Sequence, residues 1–187
     1  RVVEKAKALR QGREGEFDLG PMIWKQQLDV IERHMADARA KGATVLTGGK
    51  RSADLGEMFY EPTVVTGVTH DMLLMREETF GPILPIVRVK DEDEAIRLAN
   101  DSVYGLSSTV WTKDEAKAIA IAKRLEAGSV CVNESAVSYG ATEAPFGGRK
   151  TSGVGHVNGP SGLKGYCHAL PIVIDRFGPK EEHVWYP

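Results

Sequence analysis

Two residues near the middle of the chain combine types that can act together chemically. Glu78 and Phe80 flank a single threonine and run directly into Gly81-Pro82. A carboxylate can accept two hydrogen bonds from a vicinal diol such as a ribose, and an aromatic face can pack against a planar ring. The same string also reads as a plain turn with a core phenylalanine and a surface glutamate, and so short a pattern is not specific by itself. Further along, Pro145-Phe146-Gly147-Gly148 presents one large apolar residue on a loop whose backbone must pack closely. That string also reads as a glycine-rich turn covering the core. Val137 and Tyr139 in the same loop either line a pocket or anchor it.

The possible nucleophiles are weaker. Cys131 lies between two valines in a strand-like stretch, an environment that favours the neutral thiol over the thiolate. Cys167 and His168 are adjacent, but consecutive side chains rarely meet productively, and catalytic partners are normally distant in sequence. His156 sits in a glycine-rich loop and reads as structural or surface-exposed. Gly147, Gly148, Gly153 and Gly155 lack the spacing of a dinucleotide fingerprint, and no phosphate-binding G-x-x-x-x-G-K-[ST] string occurs. The two cysteines have no metal-ligand spacing and allow a single bridge but no disulfide framework, so a reducing, cytoplasmic setting is expected, with no metal.

Bulk composition narrows the class. The 187 residues are enough for one ordinary domain, with 42% hydrophobic and 27% charged residues, as in soluble globular proteins. A net charge of −2 with interspersed signs makes no electrostatic case for nucleic acid or an anionic membrane. No apolar run approaches the roughly 18–20 residues of a membrane span. The opening Arg1-Val2-Val3 has no methionine and reads as the inside of a helix, so the chain is expected to be a piece of a larger protein.

The elements that must position these residues follow from hydrophobic periodicity. Trp24, Leu28, Ile31, Met35 and Ala38 recur at steps of three and four, giving an amphipathic helix over about 22–41, stopped by Gly42. Strands are expected at 44–47 and 59–65, with Pro62 marking an edge or irregular position in the second. Strand 83–89, helix 91–99, strand 106–111, helix 113–127 and strand 129–133 then alternate. That alternation implies βαβ units and an α/β fold with a largely parallel open sheet flanked by helices. Ligands of such sheets sit beyond the carboxyl ends of the strands, which points to the polar, irregular segment 134–159. A last strand is expected at 171–175.

Taken in order, the motifs resemble the aldehyde dehydrogenase superfamily over nearly the whole chain. The resemblance runs from Leu19-Gly20-Pro21-Met22-Ile23 through Gly42-Ala43, Gly48-Gly49 and Glu61-Pro62-Thr63 to Glu77-Glu78-Thr79-Phe80-Gly81-Pro82. It continues through Ala99-Asn100-Asp101, Tyr104-Gly105-Leu106, Ala127-Gly128, Val132-Asn133 and the run from Pro145 to Gly155. It implies a catalytic-domain fold of that family, with residues 1–168 as part of the catalytic domain and 169–187 as an oligomerisation strand and tail. Glu78 would hold the nicotinamide ribose of NAD or NADP, and Phe80 would pack beside the nicotinamide. Asn133, Val137, Tyr139 and Phe146 would line the tunnel for a small-molecule aldehyde. The C-terminal strand would join a dimer or tetramer.

The same resemblance places the catalytic cysteine, the general-base glutamate, the oxyanion-hole asparagine and the dinucleotide-binding domain outside the matched part. No catalytic residue is therefore expected here, and the isolated chain should not oxidise aldehydes to carboxylic acids as its parent would. Gly155-His156-Val157 departs from the Gly-Arg-Glu common in the family. The loop 134–144 offers no arginine or lysine for a substrate carboxylate, which favours uncharged aldehydes over semialdehydes. Two readings of other classes are a non-catalytic binding or assembly module derived from the family, and an unrelated thiol hydrolase using Cys131 or Cys167.

Overall fold

In the computed structural model, residues 1–174 and 176 are described. Helix α1 (Val2–Ala8) leads to helix α2 (Lys25–Ala40), around which the first half is built. Leu28, Ile31, Met35 and Ala38 of α2 are fully buried and meet Tyr60, Val65, Val68, Met72 and Leu74. Trp24 does not share that stripe. It occupies the N-cap with extended backbone, φ −132°, so its indole leaves the helical face and stays 60% exposed.

Against α2 lies a three-stranded sheet in the order β1 (Thr44–Thr47), β2 (Thr63–Thr66), β3 (Ile83–Ile86). Strand β2 starts later than its apolar run implied. Pro62 has no N–H to give a ladder, and Tyr60 forms only an isolated bridge to Arg51. Helix α3 (Leu73–Arg76), a single turn too short to show periodicity, connects β2 to the segment before β3.

The second half contains α4 (Glu92–Asn100), β4 (Tyr104–Gly105), β5 (Ser107–Val110), α5 (Glu115–Ala122) and β6 (Ser129–Val132). Both helices open on a capping aspartate. Asp91 accepts from the Glu94 N–H at 2.8 Å, and Asp114 from the Lys117 N–H at 2.9 Å. Strands β5 and β6 are parallel and joined through α5, which is a βαβ unit. The segment expected to be irregular carries a short α6 (Val137–Gly140), β7 (Arg149–Lys150) and α7 (Gly159–Lys164).

The sheet corrects the sequence expectation of one largely parallel array. Among the described residues the strand pairs β2/β3 and β5/β6 are parallel, β1/β2 and β4/β7 are antiparallel, and the strands form three separate sheets. No helix intervenes between β1 and β2, so that pair returns without a crossover, whereas β4 meets β7 only after the β5–α5–β6 unit and α6. The expected last strand also differs: residues 171–174 take no strand pairing, and Ile172, Val173 and Ile174 are exposed. Asp175 and the tail from residue 177 lie outside the described residues.

Candidate nicotinamide and aldehyde site

The segment after α3 is held from beneath by one face of α2. The Arg33 guanidinium pairs with the Glu77 carboxylate, and the Gln27 amide donates to the Thr79 carbonyl. Between them His34 is fully buried, with Nδ1 3.0 Å from the Thr79 hydroxyl and Nε2 3.2 Å from Glu77 Oε2. An ionised carboxylate only accepts, so Nε2 carries the proton toward Glu77 and, in the neutral ring, Nδ1 accepts from the Thr79 hydroxyl. Hydrogen bonding from Arg33, then from His34, holds the Glu77 carboxyl below its ordinary range. Gly81 closes the segment because a Cβ there would overlap Cδ1 of Ile31 and lie 2.7 Å from its Cγ1.

Glu77 and Thr79 thus bond to α2, and the residues that alternate with them make no such bond among the described residues. Glu78 is exposed and has no hydrogen-bond or ion-pair partner among the described residues. Phe80 is 73% exposed, which removes the reading of this string as a turn around a core phenylalanine. Its backbone is left-handed, φ 41°. That conformation costs a bulky residue roughly 1–2 kcal/mol, and such strain persists where surrounding structure imposes it.

The two side chains open onto different hollows. Glu78 lines one of about 490 Å³ with Asn100, Ser102, Tyr104, Ser108 and Ser152. Phe80 lines another of about 400 Å³ with Leu19, Met22, Ile23 and Tyr60. The floor of the first is stapled by the segment 149–152. Lys150 Nζ donates to the Asn100 and Ser102 carbonyls at 2.6 and 3.0 Å, and the Ser152 hydroxyl accepts from the Gly105 N–H at 2.9 Å.

Phe146 borders a third hollow of about 630 Å³, which shares Leu106 and Ser152 with that of Glu78. It forms an isolated bridge with Val157, with both N–H···O bonds at 2.8 Å. Its ring meets that of Tyr139 edge-on, centroids 5.5 Å apart. Tyr139 and Val137 project from α6 and are largely exposed. Gly128 supports this loop from behind, since a Cβ there would run into the carbonyl oxygen of Gly147.

Asn133 sits where the chain leaves β6, beside a hollow of about 730 Å³ with Trp111, Ile119 and Val132 at the carboxyl ends of β5 and β6. Its amide is committed at both ends. Oδ1 accepts from the Thr112 N–H at 2.9 Å and Nδ2 donates to the Thr112 carbonyl at 2.8 Å. Asn133 therefore contributes a fixed corner and not a free amide. Cys131 is buried within β6 and Cys167 is exposed; neither is in a disulfide. Among the described residues no group of three or more His, Cys, Asp or Glu could hold a metal ion, and no helix is long and apolar enough to cross a membrane.

Sequence reasoning missed His34, Gln27 and Arg33. The available signal was a histidine at position 34 directly on the apolar stripe of Ile31, Met35 and Ala38, where burial forces it to find partners.

A parallel βαβ unit opening onto hollows at its strand ends is the arrangement of an α/β ligand-binding protein. The pattern of the aldehyde dehydrogenase family matches residues 1–170, and the chain belongs to that family. A Mycolicibacterium smegmatis protein provisionally named as a succinate-semialdehyde dehydrogenase with NADP(+) is 43% identical over 92% of this chain and 34% of its own length. The mitochondrial succinate-semialdehyde dehydrogenase of Rattus norvegicus is 41% identical over 88% of this chain and 31% of its own. Among solved structures, a Burkholderia pseudomallei succinate-semialdehyde dehydrogenase superposes with TM-score 0.83 at 42% identity, covering 88% of this chain and 34% of that one. A Mycobacterium tuberculosis aldehyde dehydrogenase complexed with NAD+ gives 0.82 at 37%, with the same coverage. The chain thus spans about a third of the length of the relatives it matches.

Proposed function

We propose that this chain supplies the nicotinamide-ribose contact and one wall of the aldehyde tunnel in an NAD(P)-dependent aldehyde dehydrogenase that oxidises an aldehyde to a carboxylic acid. The observation that carries the reading is the free, outward Glu78 carboxylate beside an exposed Phe80 held in a left-handed conformation. The residues fit the group: an acceptor-only carboxylate matches the two O–H donors of a ribose diol, and an exposed aromatic face matches a planar ring. Bound there, NAD(P)+ would accept the hydride from the substrate. Glu78 orients the ribose, Phe80 limits where the ring can lie, and Phe146 with Tyr139 presents an apolar edge to the aldehyde.

The chain alone is proposed to be inactive. Cys131 is enclosed in β6, and Cys167 sits after α7 with its thiol 3.7 Å from the Leu163 carbonyl and no base bonded to it among the described residues. The exposed apolar residues Ile172, Val173 and Ile174 support assembly into a dimer or tetramer through the segment 169–187. The two free thiols support a cytoplasmic setting.

The test is aldehyde-dependent formation of reduced nicotinamide dinucleotide, followed for the native gene product and for the 187-residue chain separately. Activity in the first and none in the second is expected. Turnover by the short chain that disappears in Cys131→Ser would overturn the reading. For substrate choice, the loop 134–144 holds Glu134 and Glu143 and no cation, favouring an uncharged aldehyde. The relatives above are named for a substrate that bears a carboxylate. The ratio of kcat/KM for an uncharged aldehyde to that for succinate semialdehyde separates the two.

A further inference from the structure

We propose that His34 is a positioning residue for the nicotinamide site, acting through the bonds that its buried ring makes to residues on either side of Glu78. The proposal rests on the reading that Glu78 and Phe80 hold the nicotinamide and its ribose. Three observations converge on it. The imidazole is the fully buried polar side chain of α2, and each ring nitrogen faces an alternate residue of the 77–80 segment. Both bonded residues, Glu77 and Thr79, reach α2, Glu77 while staying part-exposed itself, whereas Glu78 and Phe80 make no hydrogen bond to α2 among the described residues. The strained backbone of Phe80 follows directly after Thr79 and is bounded on its other side by Gly81, wedged against Ile31.

The consequence is geometric. An extended chain alternates its side chains, so fixing the first and third residues of a tripeptide fixes the direction of the second. Arg33 and Gln27 are partners of the same segment, but Arg33 reaches only Glu77 and Gln27 bonds only the Thr79 backbone. His34 alone among these three joins both side chains. Losing it frees the segment to rotate, and Glu78 then meets the ribose diol in a fraction of its conformations. Apparent affinity falls by that fraction. The loop that carries Tyr139 and Phe146 makes no bond to the clamp among the described residues, so aldehyde binding is unaffected.

The experiment uses the native gene product and three substitutions, with binding of reduced dinucleotide read from nicotinamide fluorescence and both KM values from steady-state rates. His34→Leu keeps approximate volume and removes both bonds. His34→Asn leaves an amide near the position of Nδ1, which can still bond Thr79. Thr79→Val removes the hydroxyl alone and serves if His34→Leu does not fold. H34L is expected to weaken dinucleotide binding about tenfold and T79V about threefold to fivefold, with the aldehyde KM unchanged. H34N is expected to bind within about twofold of the parent even though its melting midpoint falls.

A merely structural histidine predicts otherwise: H34N and H34L would lose affinity in step with stability, and both KM values would move. That result, or unchanged dinucleotide binding in H34L and T79V, overturns the proposal. Glu78→Ala separates the two levels. If it weakens dinucleotide binding while H34L and T79V do not, only the role of His34 falls. If it has no effect, the reading of Glu78 falls and the role of His34 with it.

Discussion

The segment 77–82 and the loop 134–157 are both exposed and both border hollows, yet they are held in opposite ways. The first is tied to a core helix by side chains of Gln27, Arg33 and His34, and it tolerates a left-handed phenylalanine. The aromatic part of the second, 134–148, is held mainly by local contacts: a bridge from Phe146 to Val157, a helical turn at α6 and an edge-on contact between two rings. Its segment 149–152 is tied outward to Asn100, Ser102, Val103 and Gly105. The difference matches the proposed tasks. A cofactor is the same in every turnover and favours a preorganised contact, whereas a loop with few outside ties can change composition without disturbing the core.

The sharpest way to break the comparison is to jam each region at its tightest glycine. Gly128→Ala forces a methyl against the backbone carbonyl of Gly147, so the loop must move; a loss of about 3 kcal/mol in chemical denaturation is expected. Gly81→Ala meets Cδ1 and Cγ1 of the buried Ile31 side chain, which gives way more readily than backbone, so a loss of about 1–2 kcal/mol is expected. If G81A proves the more damaging, the clamp is the stiffer of the two backbones and the ranking reverses. Tyr139→Ala comes next. Its ring is 75% exposed and its contact with Phe146 is edge-on, so stability should fall by no more than about 1 kcal/mol while the aldehyde KM shifts.

Acid should loosen the clamp. Glu77 has its carboxyl held below the usual 4.5, chiefly by Arg33, and Asp101 is held below 3.8, chiefly by Arg76. A carboxyl with a lowered folded-state pKa contributes stability that is complete above the unfolded value and is lost as pH falls through the folded one. The melting midpoint should therefore be flat above about pH 5 and decline below about pH 4. Arg33→Leu should flatten that decline. An unchanged acid limb in R33L would mean that Glu77 does not contribute to it.

Much of this was legible before any coordinates. The α2 stripe and the βαβ unit follow from periodicity and residue type. Trp24 fits the spacing of the stripe but not its geometry, because the helix has not begun where it sits. Helices α3 and α6 are single turns, and four residues cannot display a period of 3.6. Glu78 was visible as a carboxylate beside an aromatic. Its freedom was not, since that depends on Glu77 taking the guanidinium and the imidazole. Nothing in the residue type of Phe80 signals a positive φ, which the packing of its neighbours imposes. Parallel pairing was overestimated because alternation shows that strands and helices follow one another, but not which strands become neighbours.

The adjacent glutamates provide the most direct test of the central claim. Dinucleotide affinity and melting midpoint should be measured for Glu77→Gln and Glu78→Gln in the native gene product. E78Q should lower affinity about tenfold and leave the midpoint unchanged, because its carboxylate bonds to nothing in the described fold. E77Q should lower the midpoint, because it loses the ion pair to Arg33. If E78Q binds dinucleotide like the parent, or if it destabilises the fold as E77Q does, Glu78 is not the free ligand-facing carboxylate assigned to it.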